Sequence, residues 1–155
     1  MLLIDLVDRS PVTVVPEATV REAARRMRER QVGSVIVLDE GSVVGILTDR
    51  DVVMAIAEDR FGGPDQRVAD LMTPEPTCLG SDQDVERGLA AMRGRGVRRL
   101  PVLNDDGELV GVVSLDDVLM HMGRSLGAAA DLVREEVAAG GERSWPDGRA
   151  ERGAT

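Results

Sequence analysis

The chain is poor in the residues that build stacking surfaces, metal sites and catalytic triads. Its 155 residues include one Phe, one Trp and no Tyr. Because single-stranded nucleic acids bind by stacking their bases on aromatic rings, this scarcity argues against such a platform. Cys78 and His121 are the sole residues of their types. The sequence therefore excludes an internal disulfide and a zinc site of several Cys or His, and it predicts a protein that is not an enzyme.

Lysine is also absent, and charge of one sign dominates. All nineteen basic residues are Arg, against 28 acidic residues, for a net charge of −9. An acidic domain repels phosphate backbones, so we predict no nucleic-acid partner. No apolar run is long enough to span a bilayer, and residues 1–8 lack the basic start of a signal peptide. We therefore predict a cytoplasmic protein without membrane contact.

The sequence does contain an internal repeat. Matching residues recur at an offset of 65, and one extra residue in the turn at 104–107 moves the offset to 66. The matched pairs include Pro11 with Pro76, Met27 with Met92, Gly41 with Gly107, Gly45 with Gly111 and Asp51 with Asp117. Their order never breaks, as expected of a duplicated unit.

Each copy predicts the element order β-α-β-β-α. The predicted strands are 12–15, 34–38 and 43–47 in copy one and 77–79, 100–103 and 109–113 in copy two. The first helix of copy one follows Thr19, which forms a capping-box pattern with Glu22. The second helix of each copy begins near Thr48 or Ser114.

One such unit leaves an apolar sheet face that it cannot bury alone. We therefore predict an α/β protein (α+β by some schemes) in which two β-α-β-β-α repeats pack by pseudo-twofold symmetry. The expected boundaries are 3–60 for copy one, 66–122 for copy two, 123–139 for a C-terminal helix and 140–155 for a disordered tail rich in Gly and charge. We expect His121 to cap the last helix of copy two at its C-terminus.

Two segments, 45–51 and 111–117, stand in register and contain the candidate site. In each, a strand ends in a hydroxyl residue, Thr48 or Ser114, and an Asp follows three positions later at a helix start. This spacing is typical of a helix cap, which by itself explains both segments. It also places free backbone amides, a hydroxyl and a carboxylate together, and a carboxylate can accept the hydroxyls of a ribose. The spacing leaves both interpretations open.

The two copies together resemble a tandem pair of CBS domains, often called a Bateman module, over about residues 3–121. The family is named for cystathionine β-synthase. The residues that carry the resemblance are Met72-Thr73-Pro74, Val35-Ile36-Val37, Arg99-Leu100-Pro101-Val102, and the Gly-x-x-Thr/Ser-x-x-Asp ending of each copy.

The resemblance implies a regulatory module that binds AMP, ADP, ATP or S-adenosylmethionine between its copies, with no metal and no obligatory cofactor. It implies that Asp51 and Asp117 bind ribose, with Thr48 and Ser114 beside the ribose and phosphate. It further implies base contacts from the backbone of Thr13-Val14 and Cys78-Leu79, and phosphate contacts from Arg98 and Arg99.

The two half-sites differ in charge. Copy one has Asp49-Arg50-Asp51, which puts Arg50 beside the expected phosphate, whereas copy two has Leu115-Asp116-Asp117. The additional carboxylate of Asp116 disfavours a polyanion. We expect Asp51 to form the better site and Asp117 a weaker or empty one.

The resemblance also implies a homodimer that acts on an unidentified regulated protein. The helix residues expected at the interface are Val52, Val53, Ile56, Val118, Leu119 and Met122. In the expected mechanism, the ligand favours one orientation of the copies, and the partner recognises that orientation. The competing hypothesis is a ligand-independent dimerisation scaffold in which both Ser/Thr-x-x-Asp segments are only helix caps.

Overall fold

The computed structural model describes residues 1–140, and the predicted element order is present in both copies. In chain order the elements are β1 (Thr13–Val14), α1 (Val20–Arg30), β2 (Ser34–Asp39), β3 (Ser42–Thr48), α2 (Asp49–Ala57), β4 (Thr73–Pro74), β5 (Leu79–Gly80), α3 (Val85–Arg95), β6 (Arg99–Leu103), β7 (Leu109–Ser114) and α4 (Leu115–Gly140). Short 3₁₀ turns, Leu3–Asp5 and Val68–Asp70, precede each copy.

Local capping sets where the first helix of each copy begins. The Thr19 hydroxyl accepts a hydrogen bond from the Glu22 amide at 3.1 Å, but the Glu22 side chain pairs with Arg26 at 2.7 Å. Only half of the predicted capping box therefore forms. Asp84 caps α3 by accepting a bond from the Arg87 amide at 2.8 Å.

The strands form two small sheets, one for each copy. The first has the order β1-β2-β3-β4 and the second β5-β6-β7. In both sheets the first strand pairs parallel to the second, and the following hairpin is antiparallel. The fourth strand of the first sheet, β4, was not predicted, because it belongs to the segment that leads into copy two.

The segment that precedes each copy, called here its lead-in (residues 3–8 and 68–75), pairs with the other copy. Thr73 of β4 pairs with Ile46 of β3 in copy one. Reciprocally, Asp8 exchanges two backbone hydrogen bonds with Val112 of β7 in copy two, at 3.0 and 3.2 Å. Leu3 is fully buried in the core of copy two, and Val68 is fully buried in the core of copy one. Each copy is thus completed by the chain that precedes the other.

The start of each second helix packs on its own sheet. Val118 is 2% exposed within the core of copy two, and its counterpart Val52 packs against the core of copy one. Val118 is therefore buried within its own copy and not available to a dimer interface, because it lies one turn after the helix cap on the inward face, whereas Val52 is only partly buried. Val53, Ile56 and Leu119 are exposed.

The predicted helix at 123–139 is not a separate element. It is the end of α4, which runs without a break through His121 and Gly123, so His121 does not cap a helix terminus. An internal Gly costs about 1 kcal/mol relative to Ala, which neighbouring helix formers can offset. The compact unit that contains both copies spans Met1–Leu119, and the second unit starts at Met120. The tail predicted to be disordered, from 141 onward, lies outside the described residues.

Every helix within residues 1–140 is too short or too polar to span a lipid bilayer.

Candidate functional site

A complete capping box fixes the Asp51 carboxylate. The amide and the hydroxyl of Thr48 both donate to Asp51 Oδ2, at 2.8 and 2.7 Å, and the Asp51 amide donates back to the Thr48 hydroxyl at 3.1 Å. Asp51 Oδ1 accepts no hydrogen bond from the residues that the structure describes. The cap therefore leaves one carboxylate oxygen available to a ligand.

Copy two repeats this arrangement at Ser114 and Asp117. The amide and the hydroxyl of Ser114 donate to Asp117 Oδ2 at 2.8 and 2.5 Å, and the Asp117 amide donates back at 3.1 Å. The two copies thus hold their carboxylates in the same way, and any difference in binding must come from the surroundings.

The Asp51 cavity has a volume of about 630 Å³ and is built from both copies. The junction of β3 and α2 contributes Thr48, Arg50 and Asp51, and copy two contributes residues 73–77 and 95–100. Small-molecule sites typically have volumes of about 300–1,000 Å³, so this cavity is large enough for a nucleotide.

The lining of the Asp51 cavity is positively charged within an acidic protein. Its charged residues are Arg50, Arg95, Arg98 and Arg99 against Asp49, Asp51 and Glu75. Four guanidinium groups and three carboxylates leave one positive charge. Arg98 also pairs with Asp116, at 2.9 Å between Nη2 and Oδ1, but both side chains are more than half exposed. Such a pair is weak and can yield to a phosphate.

The Asp117 cavity is smaller and has the opposite charge. It measures about 200 Å³ and is lined by Asp8, residues 11–12, the loop 31–34, Arg99 and the Ser114–Asp117 cap. Its described lining contains two carboxylates, Asp8 and Asp117, and one guanidinium, for a net charge of −1. Both its size and its charge make it the weaker of the two cavities for a nucleotide.

The structure brings together most of the predicted site residues. Thr48, Arg50, Asp51, Arg98 and Arg99 line the Asp51 cavity, and Ser114, Asp117 and Arg99 line the Asp117 cavity. The copies do contribute to each other's cavities, as the position of Arg98 and Arg99 shows.

Thr13, Val14 and Cys78 are not among the residues that line these cavities, and their base contacts stay a prediction. The Val14 side chain is buried in the core of copy one, and the Thr13 carbonyl accepts a hydrogen bond from Arg26 at 2.6 Å. The lining of the Asp117 cavity includes Val12, which precedes Thr13, and the lining of the Asp51 cavity includes Thr77, which precedes Cys78. Thr13 and Val14 form β1, and β5 begins directly after Cys78.

Cys78 is partly buried beside β5. Its Sγ lies 3.4 Å from the Pro76 carbonyl oxygen. Burial raises the pKa of the Cys78 thiol above its ordinary value, because desolvation disfavours the thiolate. The residue is therefore a protonated packing group at neutral pH.

Sequence reasoning missed the loops at 31–34 and 95–97 and the lead-in residues Asp8 and Glu75. These loops contain the left-handed residues Gln31 and Gly96, which end α1 and α3 with φ of 53° and 66°. The repeat already aligned the two loops, but it gave no sign that each faces the carboxylate of the other copy.

Within residues 1–140 there is no group of three His, Cys, Asp or Glu side chains that could hold a metal ion. A third cavity of about 570 Å³ lies between α1, the loop 31–33 and α2, and Arg99 borders it as well.

The fold and its paired cavities define a duplicated α/β module with one carboxylate-bearing cap in each copy. The sequence model of the CBS domain matches residues 3–58 and 68–124. The chain belongs to the CBS domain family.

Individual relatives agree with this assignment. The CBS domain-containing protein YhcV of Bacillus subtilis is 32% identical over 118 residues, which cover 76% of this chain and 82% of the relative. A crystal structure of a CBS-domain containing protein from Agrobacterium tumefaciens has 32% identity and a TM-score of 0.72, covering 79% of this chain and 99% of the other. A CBS domain protein from Pyrobaculum aerophilum, complexed with AMP, has 27% identity and a TM-score of 0.69, covering 76% and 89%.

Some relatives are longer than the matched region. The chain spans 57% and 63% of the length of two matched proteins from Methanopyrus kandleri and Acidianus ambivalens.

Proposed function

We propose that the chain is a regulatory module that binds an adenine nucleotide in the Asp51 cavity. The observation that carries the proposal is the cavity itself: the Asp51 carboxylate, which has one oxygen left open by the helix cap, lines a space of about 630 Å³ together with four Arg residues. A nucleotide carries complementary groups, since its ribose hydroxyls donate to a carboxylate and its phosphates accept from guanidinium groups.

Each part of the ligand has a partner in this arrangement. Asp51 Oδ1 accepts from the ribose hydroxyls, and its position is held by the two Thr48 donors on Oδ2. Arg50, Arg98 and Arg99 bind the phosphate, and the segment 73–77 borders the base. The Asp116 carboxylate releases Arg98 when a phosphate takes its place.

The positive lining favours AMP, ADP or ATP over S-adenosylmethionine, whose sulfonium carries a positive charge. AMP is present in the structure of the Pyrobaculum aerophilum relative, which is 27% identical. AMP is therefore the first ligand to test. The nucleotide acts as a regulatory ligand and is not turned over, which an assay for phosphate release would check.

Calorimetry on nucleotide-stripped protein tests the proposal. We expect AMP to bind the wild-type chain and to lose at least about tenfold in affinity in D51A, because a charge-assisted hydrogen bond of about 1.5–3 kcal/mol is removed. D117A is the matched control, since it removes the same helix cap from the other copy. Loss of binding in D117A with retention in D51A would contradict the assignment of the site.

A ligand-independent scaffold is the second candidate, and one observation favours it. Both capping boxes satisfy the amides at their helix starts without any ligand. If D51A and D117A lower the stability equally and no adenine nucleotide gives heat at millimolar concentration, the scaffold replaces the nucleotide sensor.

We further propose that the module acts as a cytoplasmic homodimer on a separate regulated protein. Val53 and Ile56 on α2 are 61% and 55% exposed, and burying such side chains is favourable. Multi-angle light scattering of V53E/I56E should show a shift from dimer to monomer. V15E is a matched control at a residue that is 55% exposed in the loop after β1, and it should leave the dimer intact.

A further inference from the structure

We propose that Arg99 couples the two cavities, so that an anionic ligand in one weakens anion binding in the other. The inference rests on the proposed function, because it assumes that the Asp51 cavity binds a nucleotide. It adds a residue through which the two sites act on each other.

The position of Arg99 allows one side chain to serve both cavities. Arg99 is the first residue of β6 and pairs with Ser114, the cap residue of α4. It lines the Asp51 cavity and the Asp117 cavity. Its Nη2 would lie 3.3 Å from a Cβ atom added at Gly33, so the missing side chain of Gly33 leaves room for the guanidinium.

The Arg99 guanidinium is also available to a ligand in either cavity. None of the ion pairs within residues 1–140 includes it, whereas the adjacent Arg98 is paired with Asp116. Arg99 is partly buried, and Asp49 Oδ2 lies beside Gly33 as its Nη2 does but makes no ion pair with it. A partly buried cation that is not held in an ion pair gains more from a bound anion than an exposed one does.

Only copy two of the repeat has an arginine at the position of Arg99. Arg98 and Arg99 of copy two correspond to Gly33 and Ser34 of copy one. When Arg99 turns to a phosphate in the Asp51 cavity, the Asp117 cavity keeps Asp8 and Asp117 and loses the guanidinium that its described lining contains. The charge of that cavity falls from −1 to −2.

By thermodynamic linkage, a ligand in either cavity changes the affinity of the other by the same factor. The two cavities nevertheless depend on Arg99 to different degrees. The Asp51 cavity retains Arg50, Arg95 and Arg98 when Arg99 leaves. Loss of Arg99 should therefore weaken AMP in the Asp117 cavity more than in the Asp51 cavity. We expect the coupling to change affinity about tenfold, within the usual range of about 5–150-fold.

AMP titrations of the full, nucleotide-stripped chain measure this coupling. In D51A, the AMP binding step that is lost again in D51A/D117A belongs to the Asp117 cavity, which then has Arg99 available to it. Under the proposal, D51A binds AMP there about tenfold more tightly than the second AMP binds the wild-type chain, or binds it where the wild type shows no second step. In R99Q the second step and the binding to D51A/R99Q have equal affinity.

R98Q is the matched control, because it removes the neighbouring guanidinium. It should weaken AMP in the Asp51 cavity and preserve the tenfold ratio. A ratio near one with Arg99 present, or no AMP binding to D51A, would overturn the coupling while D51-dependent binding in the wild type still supports the proposed function. Absence of AMP binding from the wild type and all variants would overturn both.

Discussion

At the scale of single residues, two matched glycines predict unequal costs for the same substitution. A Cβ added at Gly111 would overlap the carbonyl oxygen of Asp8, whereas at Gly45 it would overlap the flexible side chain of Met72. Backbone at Asp8 cannot withdraw without breaking its two hydrogen bonds to Val112. We expect G111A to lower the free energy of unfolding by about 3 kcal/mol and G45A by about 1 kcal/mol, measured by urea denaturation. Equal costs would show that the lead-in near Asp8 is not held as the structure indicates.

The Cys78 thiol gives a prediction that depends on pH. Because burial raises its pKa in the folded chain, the thiol should react with a disulfide reagent more slowly in native than in urea-unfolded protein at pH 8. In the unfolded chain the thiol has its ordinary pKa and loses its proton at a lower pH than in the folded chain. The free energy of unfolding is therefore unaffected by this group at neutral pH and falls as the pH rises from the ordinary thiol pKa through the raised one. C78S should remove that part of the pH dependence. A faster reaction in the native protein would refute the prediction.

At the scale of elements, the N-cap of α3 rests on one side chain. The Asp84 carboxylate accepts the Arg87 amide at 2.8 Å, so D84A should lower the free energy of unfolding by about 1 kcal/mol. The exposed neighbour Asp82 makes no helix cap, and D82A should change stability by less than about 0.5 kcal/mol. Thermal unfolding followed by circular dichroism distinguishes the two variants.

The same scale shows what could be predicted from the sequence and why. Helices and hairpins were predicted well because their signals are local: Thr48 and Asp51, three residues apart, make the cap that their spacing indicates. The pairing of Thr73 with Ile46 joins segments distant in the chain, and no local pattern specifies it. This same pairing brings residues 73–77 to the Asp51 cavity, so the sequence analysis did not place Glu75 at the site.

At the scale of the whole molecule, the exchanged lead-ins predict that both copies unfold together. Leu3 is fully buried in the core of copy two, although it precedes copy one. L3A should cost about 2–5 kcal/mol in a single transition. Its neighbour Leu2 is 43% exposed, and L2A should cost less than about 0.5 kcal/mol. Amide hydrogen exchange should show protection falling in both copies of L3A, and loss confined to copy two would argue against one cooperative unit.

The exchanged lead-ins also bear on how such a chain could have arisen. One copy alone, with its own preceding segment, would have an open sheet edge and an unfilled core position, because the matching pieces belong to the other half. Before duplication, a single unit could have completed itself only by trading segments with a second molecule. Fusion of two genes would then have turned an association that depended on concentration into a permanent one, and the halves became free to diverge in charge.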